Sequence, residues 1–102
     1  MAEWQSGSVD ANGETIHYTR TGGNGPVVVM AHGVTDTGLC WSPLAQELED
    51  DFDLIMVDAR GHGKSSAPEG SYGPDVQAED LAGLITALGL EKPAVLGHSM
   101  GA

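Results

Sequence analysis

Three short runs of the chain are apolar at almost every position, with no polar alternation. They are Val27–Ala31, Asp53–Val57 and residues 93–96. A strand that is buried on both faces, as in a parallel sheet, has this continuous pattern, whereas a half-exposed strand alternates. The three runs therefore predict three buried, parallel strands.

Two segments between these strands repeat apolar residues with the spacing of one helical face. The first helix is expected to begin at Ser42-Pro43, with serine as the N-cap and proline at the first helical position. The second is expected over residues 74–88, with Gly89 as the glycine that ends it. Each helix should pack an apolar stripe on the sheet. The stripes are Trp41, Leu44, Ala45 and Leu48, and Leu81, Leu84, Ile85 and Leu88.

The N-terminal part of the chain has the pattern of a hairpin. Glu14–Arg20 alternates apolar and polar residues, which predicts a strand near a sheet edge. Residues 8–10 are expected to pair with it through the turn Ala11-Asn12-Gly13, because Asn-Gly is a strong hairpin signal. The element order is then β-β-β-α-β-α-β. This order predicts an α/β sheet with right-handed crossovers and helices on both faces.

The charge of the chain is strongly acidic. Fifteen Asp and Glu residues against four Lys and Arg give a net charge of −11. Such a balance argues against nucleic acid and against an anionic membrane surface, since both attract basic proteins. The acidic residues are interpreted as a solvated surface in preference to an acidic binding face. The N-terminus lacks signal-peptide features and no stretch reaches transmembrane length, so a cytoplasmic location is expected.

The pentapeptide Gly97-His98-Ser99-Met100-Gly101 directly follows the last apolar run. It has the form G-x-S-x-G, in which a serine nucleophile lies on a sharp strand-to-helix turn. Gly97 and Gly101 supply the small neighbours that such a turn needs. The alternative is an ordinary turn whose serine caps a helix. His98 is expected to be a packing or hydrogen-bonding residue, because strand neighbours point to opposite faces.

The loop after Val27–Ala31 is a candidate for an oxyanion hole. Acyl transfer places negative charge on the former carbonyl oxygen, and backbone N–H groups stabilise it. One donor would be Met100, the residue after the nucleophile, and the other would come from His32-Gly33-Val34. The alternative for this segment is an ordinary connection.

The sequence has no complete nucleotide-binding motif and no set of metal ligands at the usual spacing. Gly63-Lys64-Ser65 resembles a phosphate loop, but Asp58 stands where that motif needs its first glycine. No second ligand lies at metal spacing from His62, which is expected to pack within its loop. The single cysteine, Cys40, excludes an intrachain disulfide and is expected to be a buried small hydrophobic residue. No cofactor and no metal are expected.

Three segments together resemble the α/β-hydrolase superfamily. They are HGVTD from His32, DARGHGKS from Asp58 and GHSMGA from Gly97. The likeness is strongest to the serine esterase, haloperoxidase-like and acyltransferase-like branch. It implies Ser99 as nucleophile and the backbone N–H groups of Val34 and Met100 as oxyanion donors. It also implies loop-shaping roles for Asp58, Arg60 and Gly61. A serine disfavours the epoxide-hydrolase and haloalkane-dehalogenase branches, whose nucleophile is an aspartate.

The resemblance also implies that the chain is the N-terminal part of such a domain. Family members place the triad acid and histidine later, so residues 1–102 are expected to be an incomplete domain, truncated after the elbow strand. Its sheet would be mostly parallel with an antiparallel N-terminal hairpin. The expected function is nucleophilic acyl transfer on an ester or related small acyl compound, with little activity from this piece alone. Hydrolysis, acyl transfer, perhydrolysis and C–C cleavage share these motifs. The alternative is a non-catalytic fragment, or a binding module that needs a second chain to complete the sheet.

Overall fold

The computed structural model describes residues 4–22, 25–32, 38–59, 65, 74–91 and 93–97. These residues form the strands β1 (Gln5–Ala11), β2 (Glu14–Arg20), β3 (Val27–Ala31), β4 (Asp53–Val57) and β5 (Ala94–Gly97). They also form the helices α1 (Ser42–Leu48) and α2 (Pro74–Ala87), and a 3₁₀ turn over Gly38–Trp41. No described helix is long and apolar enough to cross a membrane.

The five strands form one mixed sheet in the order β1-β2-β4-β3-β5. Strand β3 lies between β4 and β5 and runs parallel to both. Strand β2 runs antiparallel to β1 and to β4, so the hairpin extends the parallel part on one side. This topology confirms the predicted α/β sheet with an antiparallel N-terminal hairpin.

Strand β4 explains why the parallel strands are apolar without alternation. All five of its residues are buried, and successive side chains enter different cores. Ile55 and Val57 belong to a cluster against which the apolar residues of α2 pack. Leu54 and Met56 belong to a second cluster that includes Ala45 of α1. Helices on both faces therefore remove both sides of the strand from water.

The hairpin turn is the predicted one, but its first strand is longer than predicted. Asn12 and Gly13 both have positive φ angles, 53° and 80°, as a type I′ turn requires. This turn sets the register, so that pairing continues from Ala11↔Glu14 to Gln5↔Arg20. The Asn12 side-chain amide also donates to Asp80 Oδ1 at 3.1 Å, which fastens the turn to α2.

Two details of the first helix differ from the prediction. The N-cap of α1 is Trp41, without a side-chain capping bond, because the 3₁₀ turn leads directly into the helix at Ser42. Leu44 is 40% exposed, so only the other three stripe residues pack against the core.

Cys40 is exposed, and the prediction of a buried cysteine was wrong. Adjacent residues of a 3₁₀ turn point about 120° apart, so Trp41 faces the core while Cys40 faces solvent.

The last two elements confirm one prediction and correct another. Helix α2 packs the predicted stripe, and its end is closed by a bond from the Leu90 N–H to the Ile85 carbonyl at 3.0 Å. Strand β5 forms where the third apolar run predicts it, but it is not buried. Val95 is 53% exposed and Leu96 39%. Within the described part of the chain, β5 pairs only with β3 and has an open edge.

Candidate active site

The carboxyl ends of the three parallel strands meet at one edge of the sheet. The registers pair Ala31 of β3 with Val57 of β4 on one side and with Gly97 of β5 on the other. The segments that follow these strands therefore start next to one another. This is the edge at which ligands bind in open α/β sheets.

The predicted site residues are only partly covered by the structure. Gly97, the first of the two predicted elbow glycines, is the last residue of β5, which does not test that role. The other predicted residues, Val34, Ser99, Met100 and Gly101, lie outside the described residues, as do His62 and His98. Their roles stay predictions.

Asp58 follows β4 directly and is the polar centre of this edge. It is 6% exposed, and its carboxylate accepts hydrogen bonds from two distant parts of the chain. Oδ1 accepts from the Gly38 N–H at 2.6 Å, and Oδ2 lies 3.0 Å from His17 Nδ1. Because an ionised carboxylate only accepts, Nδ1 of His17 carries the proton. Asp58 therefore joins β2, β4 and the 3₁₀ turn.

The Ser65 hydroxyl occupies a place in the sheet ladder between β2 and β4. It accepts from the His17 N–H at 2.8 Å and donates to the Asp58 carbonyl at 2.5 Å. The Asp58 N–H donates directly to the His17 carbonyl at 2.9 Å, so one rung is direct and the next passes through the hydroxyl. Ser65 thus widens the ladder just beyond the end of β4.

Ser65, His17 and Asp58 contain the three residue types of a catalytic triad, but their geometry is structural. The Ser65 hydroxyl contacts the backbone N–H of His17 and not its imidazole ring. The ring can therefore not accept the hydroxyl proton as a general base does. This trio braces the sheet edge and is not a nucleophilic centre.

His32 follows β3 and is also a structural residue. Its side chain is buried, and its Nε2 accepts a hydrogen bond from the Ala59 N–H at 3.0 Å. The lone pair of Nε2 is therefore engaged in this hydrogen bond, and the proton of the neutral ring is on Nδ1. Among the described residues, no group of three or more His, Cys, Asp or Glu side chains is arranged to hold a metal ion.

We expect Ser65→Ala to lower the free energy of unfolding by about 1–3 kcal/mol, because it removes both hydrogen bonds of a buried hydroxyl. The variant should be made in the complete gene product, meaning the whole polypeptide that the gene encodes, and followed by urea denaturation. The matched control is Ser6→Ala on β1, where the serine is exposed and the effect should stay within about 0.5 kcal/mol. Equal urea midpoints for Ser65→Ala and Ser6→Ala would contradict the bridging role of the Ser65 hydroxyl between β2 and the residue after β4.

The ionised groups at the opposite end of the sheet form a separate site. Arg20, the last residue of β2, makes three side-chain hydrogen bonds to Asp53, the first residue of β4. These bonds raise the pKa of Arg20 above its ordinary value, and burial opposes them. The pair lies at the amino end of β4, a strand length away from Asp58.

Comparison with known proteins agrees with this architecture. The family model described as alpha/beta hydrolase fold matches residues 26–102. The chain is 42% identical over 97 residues to N-formylmaleamate deformylase of Pseudomonas putida KT2440, covering 94% of this chain and 36% of that protein. It is 42% identical over 83 residues to 2-(acetamidomethylene)succinate hydrolase of Mesorhizobium japonicum, covering 81% and 30%. Mouse epoxide hydrolase 3 is 32% identical over 97 residues, covering 92% and 26%.

Solved structures give the same result. Epoxide hydrolase A of Mycobacterium thermoresistibile superposes with a TM-score of 0.89 at 35% identity, over 97% of this chain and 32% of that one. A serine-to-alanine variant of the N-formylmaleamic acid deformylase of Pseudomonas putida S16 superposes with a TM-score of 0.87 at 34% identity, over 95% and 38%. The chain therefore spans about a third of the length of the proteins it matches.

Proposed function

The chain belongs to the alpha/beta hydrolase family, and on that premise we propose that it carries the nucleophile, Ser99, of a serine hydrolase acting on a small acyl compound. The register between β3 and β5 is the observation that carries the proposal. It pairs Ala31, three residues before Val34, with Gly97, two residues before Ser99. The segment that contains Val34 and the segment that contains Ser99 thus begin next to each other, at the ends of adjacent strands. A nucleophile and an oxyanion donor require such proximity.

The proposed reaction is acyl transfer through Ser99. The Ser99 hydroxyl attacks the substrate carbonyl and passes its proton to a histidine base, and the oxyanion accepts hydrogen bonds from the N–H groups of Val34 and Met100. Collapse of this intermediate breaks the bond to the leaving group, which takes the proton from the histidine. Water then adds to the acyl-enzyme, gives its proton to the same base, and releases the acid and the free Ser99 hydroxyl. His17 and His32 are both held in structural contacts. Neither is therefore proposed as the base, and we assign the base, and the acid that orients it, to residues that the structure does not describe.

The names of two relatives support a proposal for the substrate class. One is named for removing a formyl group from N-formylmaleamate and the other for hydrolysing 2-(acetamidomethylene)succinate. Both names describe N-acyl groups on small acids. We propose that the chain's protein hydrolyses an N-acyl or ester bond of a small carboxylic acid compound.

The test is covalent labelling of the complete gene product with a fluorophosphonate, a reagent that phosphonylates activated serines. We expect one phosphonyl group, located on Ser99 by peptide mass spectrometry, and hydrolysis of N-formyl, N-acetyl or p-nitrophenyl ester substrates that the reagent abolishes. Turnover of epoxides without labelling of Ser99 would contradict the proposal and favour the reaction named for the epoxide-hydrolase relatives.

A partner-dependent binding module is the second candidate. The open edge of β5, with Val95 and Leu96 exposed, is the observation that favours it. The labelling experiment separates the two candidates, because a binding module needs no activated serine. Complete absence of labelling and of turnover would favour the module.

A further inference from the structure

The hairpin turn Asn12-Gly13 brings together the groups of an intramolecular reaction. The carbon of an asparagine carboxamide can be attacked by the backbone nitrogen of the next residue, and glycine hinders this attack least because it has no side chain. Both turn residues are exposed, and both have positive φ angles, 53° and 80°. The pair Ala11↔Glu14 closes the turn, so the Gly13 N–H lies outside the ladder. Nucleophile, carboxamide and solvent water therefore meet at this turn.

The Asn12 carboxamide is held by a buried carboxylate of helix α2. Its Nδ2 donates to Asp80 Oδ1 at 3.1 Å, and Asp80 is 4% exposed. The helix lies so close that a Cβ atom on Gly83 would be 3.1 Å from both Ala11 Cβ and the Asn12 backbone nitrogen. A bond to a charged acceptor is strong and fixes the orientation of the carboxamide. The negative charge also opposes the oxyanion that attack by the Gly13 nitrogen creates.

We propose that Asn12 is a site of spontaneous deamidation, which Asp80 slows and whose products Asp80 makes destabilising. The Gly13 nitrogen loses its proton and bonds to Asn12 Cγ, the Cγ–Nδ2 bond breaks, and Nδ2 leaves with that proton as ammonia. Water then opens the resulting succinimide at either carbonyl, which restores the Gly13 N–H and leaves aspartate or isoaspartate at position 12. Water is consumed, ammonia is released, and no group is oxidised or reduced.

Both products disturb the contact between the hairpin and α2. Aspartate replaces the Nδ2 donor by a carboxylate oxygen, which faces the buried Asp80 carboxylate as a like charge. Isoaspartate carries the chain through its former side chain, so the two-residue turn gains a methylene group and loses the geometry that sets the register. Ala11 and Leu84, the chain neighbours of Asn12 and Gly83, are both buried in one core cluster. Deamidation therefore loosens the edge of this core.

The first experiment follows deamidation in the complete gene product, incubated in mildly alkaline buffer and digested with trypsin. Cleavage after Arg20 separates Asn12 from Asn24, which is also followed by glycine, and peptide mass spectrometry locates each conversion. In concentrated urea both asparagines should convert at the rate of an unrestrained Asn-Gly pair. We expect Asn12 to convert about tenfold more slowly in the folded protein, and Asp80→Ala to remove most of this difference, because a hydrogen bond to a charged group is lost.

The matched control is Asp53→Ala, which removes an equally buried carboxylate that is bonded to Arg20, at the other end of β2 from the turn. It should leave the rate at Asn12 unchanged. Equal acceleration by both variants would show that the rate follows general loss of stability and would overturn the inference. It would also be overturned if Asn12 converted as fast in the folded protein as in urea, or did not convert in folded Asp80→Ala.

The second experiment measures the effect of the product on stability, and it decides the inference if Asp80→Ala does not fold. Asn12→Asp places the negative charge of the product beside Asp80 and keeps the turn, because aspartate also tolerates positive φ. Its urea midpoint should fall below that of Ser6→Asp, which adds the same charge at an exposed site on β1. Asn12→Asp/Asp80→Asn should recover the midpoint, since the amide then donates and the carboxylate accepts. Equal midpoints for Asn12→Asp and Ser6→Asp would contradict the destabilising role of Asp80.

Discussion

Replacing Ser99 by alanine is expected to lower kcat of the complete gene product by about 10⁴- to 10⁶-fold. Without the hydroxyl there is no nucleophile, and the oxyanion donors together with substrate binding would supply only the remaining acceleration. KM should change little, since the hydroxyl contributes mainly to the transition state. The measurement is steady-state hydrolysis of the best substrate found among N-formyl, N-acetyl and p-nitrophenyl ester compounds.

The control for this result is Ser6→Ala, which makes the same chemical change at an exposed site on β1. It should retain full kcat and full labelling. Circular dichroism should give the same spectrum for both variants, because neither change removes a described contact of the sheet. A Ser99→Ala protein that kept more than about a tenth of kcat would contradict Ser99 as the nucleophile.

Local patterns in the sequence were sufficient for the elements of the fold. Strand β4 was predictable because helices bury both its faces, which requires apolar residues at successive positions. The hairpin was predictable because only certain residues adopt two successive positive φ angles, and Asn12-Gly13 are such a pair. In both cases the constraint acts on neighbours in the chain, so that the sequence carries it directly.

The contacts that join distant segments were not predictable in the same way. His17 and Asp58 are 41 residues apart, and His17 and Ser65 are 48 apart. Nothing in the alternation of β2 marks His17 as a partner of the residue after β4. The β2–β4 register creates this contact, and it depends on strand order. The family resemblance implied a loop-shaping role for Asp58, but not its bond to Gly38.

Exposure was the least predictable property. An apolar run indicates that a strand has apolar surface to bury, but not which elements cover it. Strand β5 is apolar like β3, yet Val95 and Leu96 are exposed because neither side chain packs in the two core clusters of the described residues. Cys40 and Trp41 are neighbours in the sequence, but Cys40 is exposed and Trp41 packs against the core. The orientation of the 3₁₀ turn relative to the sheet decides which of the two side chains is covered.

The ion pair between Arg20 and Asp53 is expected to be the strongest polar contribution to stability among the described residues. Asp53 is 5% exposed and accepts from Arg20 Nη2 at 2.6 Å, from Arg20 Nε at 3.0 Å, and from the Gly22 N–H at 3.1 Å. Arg20→Met keeps the aliphatic stem but leaves the buried carboxylate with the Gly22 bond alone. We expect a loss of about 3 kcal/mol in the free energy of unfolding, measured by urea denaturation at neutral pH.

Arg20 and Asp53 differ in solvent exposure, and a second variant tests the consequence of this difference. The Arg20 side chain is 29% exposed against 7% for Asp53, so folding removes less solvation from the arginine than from the aspartate. Arg20→Met/Asp53→Asn should therefore be more stable than Arg20→Met, because a neutral amide needs no counter-charge. Since the pKa of Arg20 is raised, its contribution is present at neutral pH and is lost only as strongly alkaline pH approaches the folded pKa. A double variant no more stable than Arg20→Met would contradict the view that an unpaired buried carboxylate causes the loss.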